Sequence, residues 1–220
     1  MATLPQPPLV VPGNHDLPLY NLYARSFQSL DRYRRHISHD LEPFYADDQV
    51  AVLGMNTTRS LAWKGGRINR VQLSKILRTF AQVAPGAIRV LVAHHPFNLH
   101  SHYRDNWLVG RASMAVGDLA DAKIHVFLSG HLHRAHRGGA AEAWLVGGHG
   151  ALFVQAGTAT STRGRGEPNS FNLIQVSRHR ITVEVHTWSH TGRMFQVTET
   201  DHFNATKEGW EQIDRQRPGI

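Results

Sequence analysis

Hydrophobic residues in the first half of the chain follow two patterns. Some form continuous apolar runs, and others are single apolar residues that recur at helical spacing. The continuous runs are typical of buried strands; they lie at 9–11, 50–55, 88–93 and 124–128, interrupted only by Arg89 and His125. The helical spacing predicts amphipathic helices; these lie at 22–37, 71–83 and 114–122. Alternation of strands and helices indicates an α/β fold with parallel strands.

The second half of the chain carries short strand patterns without intervening helices. They lie at 144–146, 151–155, 171–176 and 181–188. A β-only run after an α/β run suits two sheets packed face to face. Residues 201–220 are polar and predict a peripheral helix or a frayed end. Without a linker or repeat, the sequence predicts one domain over 1–200 followed by this tail.

The composition is that of a globular protein: of 220 residues, 41% are hydrophobic and 19% are charged. No apolar run reaches the ~18 residues that a membrane span needs. Residues 1–8 lack the features of a signal peptide, so we expect a cytoplasmic protein without a membrane partner. The absence of cysteine rules out disulfides and thiolate metal ligands.

The net charge of +7 and the pI near 10.2 raise the question of nucleic-acid binding. Lysine and arginine are nevertheless scattered, with short clusters only at 32–35 and 163–165. Nucleic acid is therefore an unlikely partner, and a positive surface attracts small anionic substrates equally well. The charge distribution leaves the oligomeric state unknown.

Three short motifs place metal-binding residue types directly after predicted strands. They are Gly-Asn-His-Asp at 13–16, His-His-Pro at 94–96 and Gly-His-Leu-His at 130–133. Loops at the carboxyl ends of parallel strands meet at one edge of the sheet. Imidazole nitrogens and amide oxygens are ligands for transition metals. The three motifs therefore predict one metal site.

The order and spacing of these motifs resemble those of the calcineurin-like metallophosphoesterases. Within that superfamily, residues 54–57 and 156–158 are similar to the bacterial cyclic-nucleotide-phosphodiesterase branch. The resemblance implies a four-layer α/β/β/α sandwich and hydrolysis of phosphodiesters or phosphomonoesters by metal-bound hydroxide. It also implies a binuclear centre of Mn, Fe or Zn and a small phosphoester substrate, with a cyclic nucleotide as one candidate.

The resemblance also assigns roles to particular residues. Asn14, His94 and His131 would bind one metal ion, and His133 would bind the other. His15 would protonate the leaving oxygen, and Asp16 would orient the His15 imidazole. His95 is predicted to lie behind the ligands as a packing or hydrogen-bonding residue. Three arginines are candidates for contact with a substrate phosphate, although solvated loop positions are the preferred prediction; they are Arg59, Arg163 and Arg165.

Two further motifs of the family depart from their usual place. Asp-x-His does not occur in the sequence, and Gly-Asp-x-x-Asp occurs only at 117–121, inside a predicted helix. Asp118 and Asp121 are therefore predicted to face solvent. The chain resembles an amino-terminally truncated family member that lacks the first strands. We expect at most one tightly held ion, weak activity, unpaired strands beside the site and a tendency to self-associate.

Three functions remain open at this point. The first is a metal-dependent phosphoesterase acting on a small substrate. The second is a nuclease-like phosphoesterase acting on DNA or RNA. The third is a non-catalytic, truncated homologue that keeps the fold and partial metal binding.

Overall fold

The computed structural model describes residues 6–18, 22–60, 65–97, 108–131, 141–146, 149–161 and 168–217. A short 3-10 helix at Asn14–Asp16 precedes the regular helices. The helices are α1 Leu22–Phe27, α2 Asp31–His36, α3 Arg70–Ala81 and α4 Ala112–Asp121. The strands are β1 Phe44–Ala46, β2 Val50–Met55, β3 Ile88–Ala93, β4 Val126–Ser129, β5 Ala141–Val146, β6 His149–Gln155, β7 Ser170–Val176, β8 Arg180–Ser189, β9 Met194–Thr206 and β10 Gly209–Gln216.

The strands form one mixed sheet in the order β1-β2-β3-β4-β6-β10-β9-β8-β7, with β5 paired to β6 off this path. Strands β2, β3, β4 and β6 run parallel to one another, and the carboxyl-terminal strands β7 to β10 are antiparallel. Strands β3 and β4, which lead into two of the predicted metal motifs, are paired on both sides. The expectation of unpaired strands beside the site was therefore wrong for these two, because β2 and β6 flank them.

Two hydrophobic clusters lie on the opposite faces of the parallel strands. On one face, side chains of β2, β3 and β4 pack against α3 and α4; Leu53, Ile76 and Leu119 belong to this cluster. On the other face, Val90 and Leu152 share a cluster with Val183 and Phe203 of the carboxyl-terminal strands. The sheet thus curls so that its two halves pack against each other.

Helices α3 and α4 confirm the helices predicted from the sequence. Helix α3 begins after Asn69, whose side-chain oxygen accepts a hydrogen bond of 2.9 Å from the Gln72 backbone N–H. Helix α4 contains the Gly-Asp-x-x-Asp segment, and Asp118 and Asp121 lie in its last turn, which leads into the amino end of β4. Asp121 is exposed, as predicted.

Other predictions need correction. Residues 9–11 form no strand, because no neighbouring strand in the described residues pairs with them. The helix predicted at 22–37 is divided into α1 and α2 by a turn at 28–30.

The helix or frayed end predicted at 201–220 was also wrong. Residues 201–216 complete β9 and form β10, where Asp201 and Phe203 are fully buried. Their polar composition concealed two strands, because only Asp201, Phe203, Gly209 and Trp210 among them are buried.

None of the helices in the described residues is long and apolar enough to cross a membrane.

Candidate metal centre

The parallel strands bring distant residues of the three motifs to one edge of the sheet. His94 follows β3 directly, and His131 follows β4 after Gly130. The backbone N–H of Gly130 donates to the His94 carbonyl at 3.2 Å, which ties the two loops together. His131 has a φ of 71°, an uncommon left-handed conformation for a residue other than glycine. Asn14 reaches the same place from the short 3-10 helix.

The side chains of Asn14, His94 and His131 converge on one point. His94 Nε2 lies 2.8 Å from Asn14 Oδ1 and 3.1 Å from His131 Nδ1, and His131 Nδ1 lies 3.3 Å from Asn14 Oδ1. Two ligands bound about 2.1 Å from one ion are roughly 3.0 Å apart at a right angle and roughly 3.4 Å apart at the tetrahedral angle. The three separations therefore match the edges of a coordination polyhedron.

The chemistry of the donor atoms also fits a metal ion. The amide oxygen of Asn14 can only accept hydrogen bonds, and two imidazole nitrogens point at it and at each other. If both imidazole nitrogens donated a proton to the Asn14 oxygen, their two N–H groups would also point at each other. If all three atoms instead direct a lone pair at one cation, each of them has a partner. Imidazole and amide ligands suit divalent Zn, Mn or Fe.

Gly13 allows the His94 ring to approach the backbone of the Asn14 loop. A Cβ atom at Gly13 would lie 2.8 Å from both Cε1 and Nδ1 of that ring. Real Cβ atoms essentially never come this close, so only glycine fits beside the imidazole in this position. Gly13 of the Gly-Asn-His-Asp motif therefore provides space that the candidate ligand His94 needs.

His95 lies beside the same cluster and is a buried, hydrogen-bonding residue, as the sequence predicted. Ligand atoms of His94, His95 and His131 all lie within 4.8 Å of one another. His95 is fully buried, and its Nδ1 is 2.8 Å from Oγ1 of Thr57, which is also fully buried. Alternation along a strand would turn His95 away from His94, but β3 ends at Ala93 and the alternation ends with it. The pair of histidines after a buried strand was the signal for this residue.

Gly66 provides the space for the His95 ring, which yields a first prediction. A Cβ atom there would overlap Nδ1 and Cγ of His95 and lie 2.8 Å from the Thr57 carbonyl oxygen. We expect Gly66→Ala to lower the free energy of unfolding by about 2 kcal/mol, because the fully buried ring has no room to move. Urea denaturation measures this change.

The matched control for that variant is the neighbouring glycine. At Gly65 an added Cβ meets no described atom within 4 Å, so Gly65→Ala should change stability by only about 0.5 kcal/mol. Equal stability of the two variants would show that His95 does not occupy a rigid site.

Asn14 Oδ1, His94 Nε2 and His131 Nδ1 are together called the donor triangle. His15 and Asp16 directly follow Asn14 in the sequence and line a surface cleft beside this triangle. His15 is exposed, and Asp16 Oδ2 accepts a hydrogen bond of 2.8 Å from the Gly13 backbone N–H. Asp16 thereby holds the 13–16 turn in which Asn14 and His15 are placed. Its predicted action on the His15 imidazole stays a prediction.

The other candidate residues that the structure describes are not part of the cluster. His133, Arg163 and Arg165 lie outside the described residues. Arg59 is not a solvated loop residue as predicted; it donates to the Thr58 carbonyl at 2.7 Å and to Gln72 Oε1 at 2.6 Å. These bonds fasten the loop after β2 to helix α3. Asp118 and Asp121 stay on α4, as described above.

The cleft beside His15 has a volume of about 420 Å³. Residues 15–18 form one wall, and helix α2 with its carboxyl-terminal neighbour Ile37 forms the other. Tyr33 of α2 is almost fully buried among Leu17 and Leu30. Burial raises the pKa of the Tyr33 hydroxyl above its ordinary value, and the charges of Asp16 and Asp40 raise it further.

A comparison with protein families matches residues 2–135 to the calcineurin-like phosphoesterase family. The match covers more than half of the chain and includes all three motifs. No curated protein matches the sequence.

Several solved structures resemble the chain distantly. A structure described as a candidate 5′-nucleotidase from Staphylococcus aureus, in complex with alpha-ketoglutarate, is 16% identical with a TM-score of 0.34; the match covers 71% of this chain and 28% of that one. GAP50 of Plasmodium, the anchor in the inner membrane complex, is 15% identical with a TM-score of 0.35, covering 81% and 53%. Zinc-bound Vps29 of Entamoeba histolytica is 19% identical with a TM-score of 0.29, covering 64% and 79%. At this distance the similarities carry no argument about activity.

Proposed function

Because this chain belongs to the calcineurin-like phosphoesterase family, we propose that it is a metal-dependent hydrolase of phosphoester bonds. The convergence of Asn14, His94 and His131 within 2.8–3.3 Å of one another supports this proposal most strongly. The preferred substrate is a small phosphodiester or phosphomonoester, with a cyclic nucleotide as the first candidate. The proposal includes the four-layer sandwich and the cyclic-nucleotide branch of the family.

The proposal gives each residue of the site a distinct task. Asn14, His94 and His131 would hold a divalent ion, and His133 would add a ligand for a second ion. A bound ion would polarise a phosphoryl oxygen and lower the pKa of water at the site. His15, exposed beside the donor triangle, would give a proton to the leaving oxygen. Asp16 would keep His15 in place through the 13–16 turn.

The activity is tested with the full chain, manganese and bis(4-nitrophenyl) phosphate. We expect measurable hydrolysis, and a loss of about 100-fold in kcat for His15→Ala, because a positioned general acid contributes about that much or more. Metal content, measured in parallel by mass spectrometry, should stay near normal in the variant, since His15 is not a ligand. His190→Ala, which removes an exposed histidine from the turn before β9, should keep full activity.

Two results would separate the roles of His15. Unchanged hydrolysis in His15→Ala would remove this residue from the mechanism. Simultaneous loss of metal and activity would make it a ligand.

A non-catalytic role in metal binding is the second candidate, favoured by one observation. Every donor atom that converges in the described residues is neutral, and no carboxylate lies among them. Neutral ligands do not offset the repulsion of two cations at short range. Full metal occupancy without hydrolysis of any phosphoester in the assay above would favour this role.

A further inference from the structure

The cleft beside His15 has the size and position of a binding site for part of a substrate. Its volume of about 420 Å³ lies in the range of roughly 300–1,000 Å³ that is typical of pockets for small organic ligands. His15 and Asp16 belong to the cleft, and the preceding residue, Asn14, belongs to the donor triangle. A phosphoryl group at the triangle would therefore have its substituent at the cleft.

Two nearly buried residues, Leu17 and Tyr33, line the cleft together with Asp16, and Tyr33 carries a polar atom that lacks a partner in the described residues. Leu17 is 3% exposed and Tyr33 is 2% exposed. The Tyr33 hydroxyl is buried and makes no hydrogen bond to any described residue. A buried hydroxyl without a partner costs free energy, which a ligand atom that accepts its proton would recover. A tyrosine hydroxyl is protonated at neutral pH and can therefore donate a hydrogen bond.

Two exposed basic side chains of α2 also line the cleft. Arg32 and His36 of α2 are both exposed and lie on the cleft. A guanidinium group stacks favourably on the face of a planar ring. The apolar side chain of Leu17, a buried donor and a flat cation together suit a ring system that carries a hydrogen-bond acceptor.

We propose that this cleft binds the leaving group of the phosphoester, and that this group is a planar ring bearing a hydrogen-bond acceptor. The assignment rests on the proposed hydrolase function. In the reaction the P–O bond to the leaving group breaks and a water oxygen bonds to phosphorus. The proton lost by water passes to solvent, and a proton from His15 ends on the leaving oxygen. Tyr33 donates to the ring acceptor, and Arg32 covers the ring.

Direct binding measurements with the full, metal-free chain show which of two ligands of this chemistry the cleft prefers. Adenosine represents a nucleoside leaving group and 4-nitrophenol a simple aryl one, each titrated while amide NMR shifts are followed. We expect shifts at the amides of Leu17, Tyr33 and Ile37. Binding of adenosine alone identifies a nucleoside site, and binding of both identifies a general ring site. Absence of cleft shifts with either compound overturns the proposal.

Substitutions on α2 test the contacts. Tyr33→Phe should raise the Kd of the bound ring compound about fivefold, the effect of one lost hydrogen bond, without lowering the Tm. Arg32→Ala should raise the Kd by a similar factor of about five through loss of stacking. Arg35→Ala removes an exposed arginine from the same helix outside the cleft and should leave the Kd unchanged. An unchanged Kd in both cleft variants contradicts the assignment.

The same variants distinguish failure of this inference from failure of the proposed function. If manganese-loaded wild-type protein hydrolyses phosphodiesters but Tyr33→Phe has an unchanged KM, the cleft is not the leaving-group site. If ring compounds bind in the cleft with the expected variant effects but no phosphoester is hydrolysed, the hydrolase function fails while the ring site stands.

Discussion

Replacement of His94 by alanine should weaken zinc binding by about 1,000-fold, which is more than the roughly 10- to 100-fold loss seen when a residue that only orients a ligand is removed. His94 Nε2 is the corner of the donor triangle with the two shortest edges, 2.8 Å to Asn14 Oδ1 and 3.1 Å to His131 Nδ1. Without His94, only two of the three protein donor atoms remain to bind the ion. Isothermal titration calorimetry with zinc measures the change.

The fold should survive this substitution. His94 follows the last paired residue of β3 and is only partly buried, so the strand ladder and the core beneath it are unaffected. His190→Ala is the control, because it removes an exposed histidine far along the chain from the three motifs. Zinc affinity that is unchanged in His94→Ala would disprove the assignment of the triangle.

The second large effect is expected at a buried ion pair in the carboxyl-terminal strands. Asp201 is fully buried, and its Oδ1 lies 2.5 Å from Arg215 Nε and 2.7 Å from Gln212 Nε2. Removal of one partner from a buried ion pair leaves an uncompensated charge, so Arg215→Ala should lower the free energy of unfolding by about 4 kcal/mol. Urea denaturation at pH 7 measures this loss.

The matched control is Arg217, the next arginine in the sequence, directly after β10. Arg217 bonds Glu199 at 2.9 Å, but its side chain is 59% exposed, so Arg217→Ala should cost only about 0.5 kcal/mol. Similar losses in both variants would show that burial of Asp201 does not determine the effect.

The pH dependence of stability follows from the same carboxyl group. Burial raises the pKa of Asp201 above its ordinary value, although Arg215 acts in the opposite direction. The folded state therefore holds this proton more tightly than the unfolded state, and the contribution of Asp201 to stability is lost as pH rises through the folded pKa. Arg215→Ala should be less destabilising at pH 4 than at pH 7, because a protonated Asp201 needs no cation. A larger loss at pH 4 would contradict this interpretation.

Much of the parallel half of the fold could be predicted from the sequence. Continuous apolar runs at 50–55 and 88–93 are strands with both faces covered, which is why they carry no alternation. The carboxyl-terminal strand β10 could not be predicted in this way. Most of its side chains face solvent, and only Gly209 and Trp210 are buried, so its pattern is that of a polar tail.

The candidate site was predictable where its residues follow strands directly. His94 and His131 could be proposed because strand ends place such loops at one edge of the sheet. Asn14 follows no strand and could be proposed only from its Gly-Asn-His-Asp motif. His95 was predicted as a packing or hydrogen-bonding residue, but its partner Thr57 could not be predicted, because the two residues are 38 positions apart in the sequence. The role of Tyr33 gave no sequence signal either, because at helical spacing an aromatic residue is indistinguishable from the core.

The central claim, that Asn14, His94 and His131 bind one metal ion, is tested most directly by anomalous diffraction at the zinc edge from crystals grown with zinc. We predict a peak about 2.0–2.2 Å from Asn14 Oδ1, His94 Nε2 and His131 Nδ1. Zinc peaks confined to other sites, with these three atoms still in contact with one another, would contradict it.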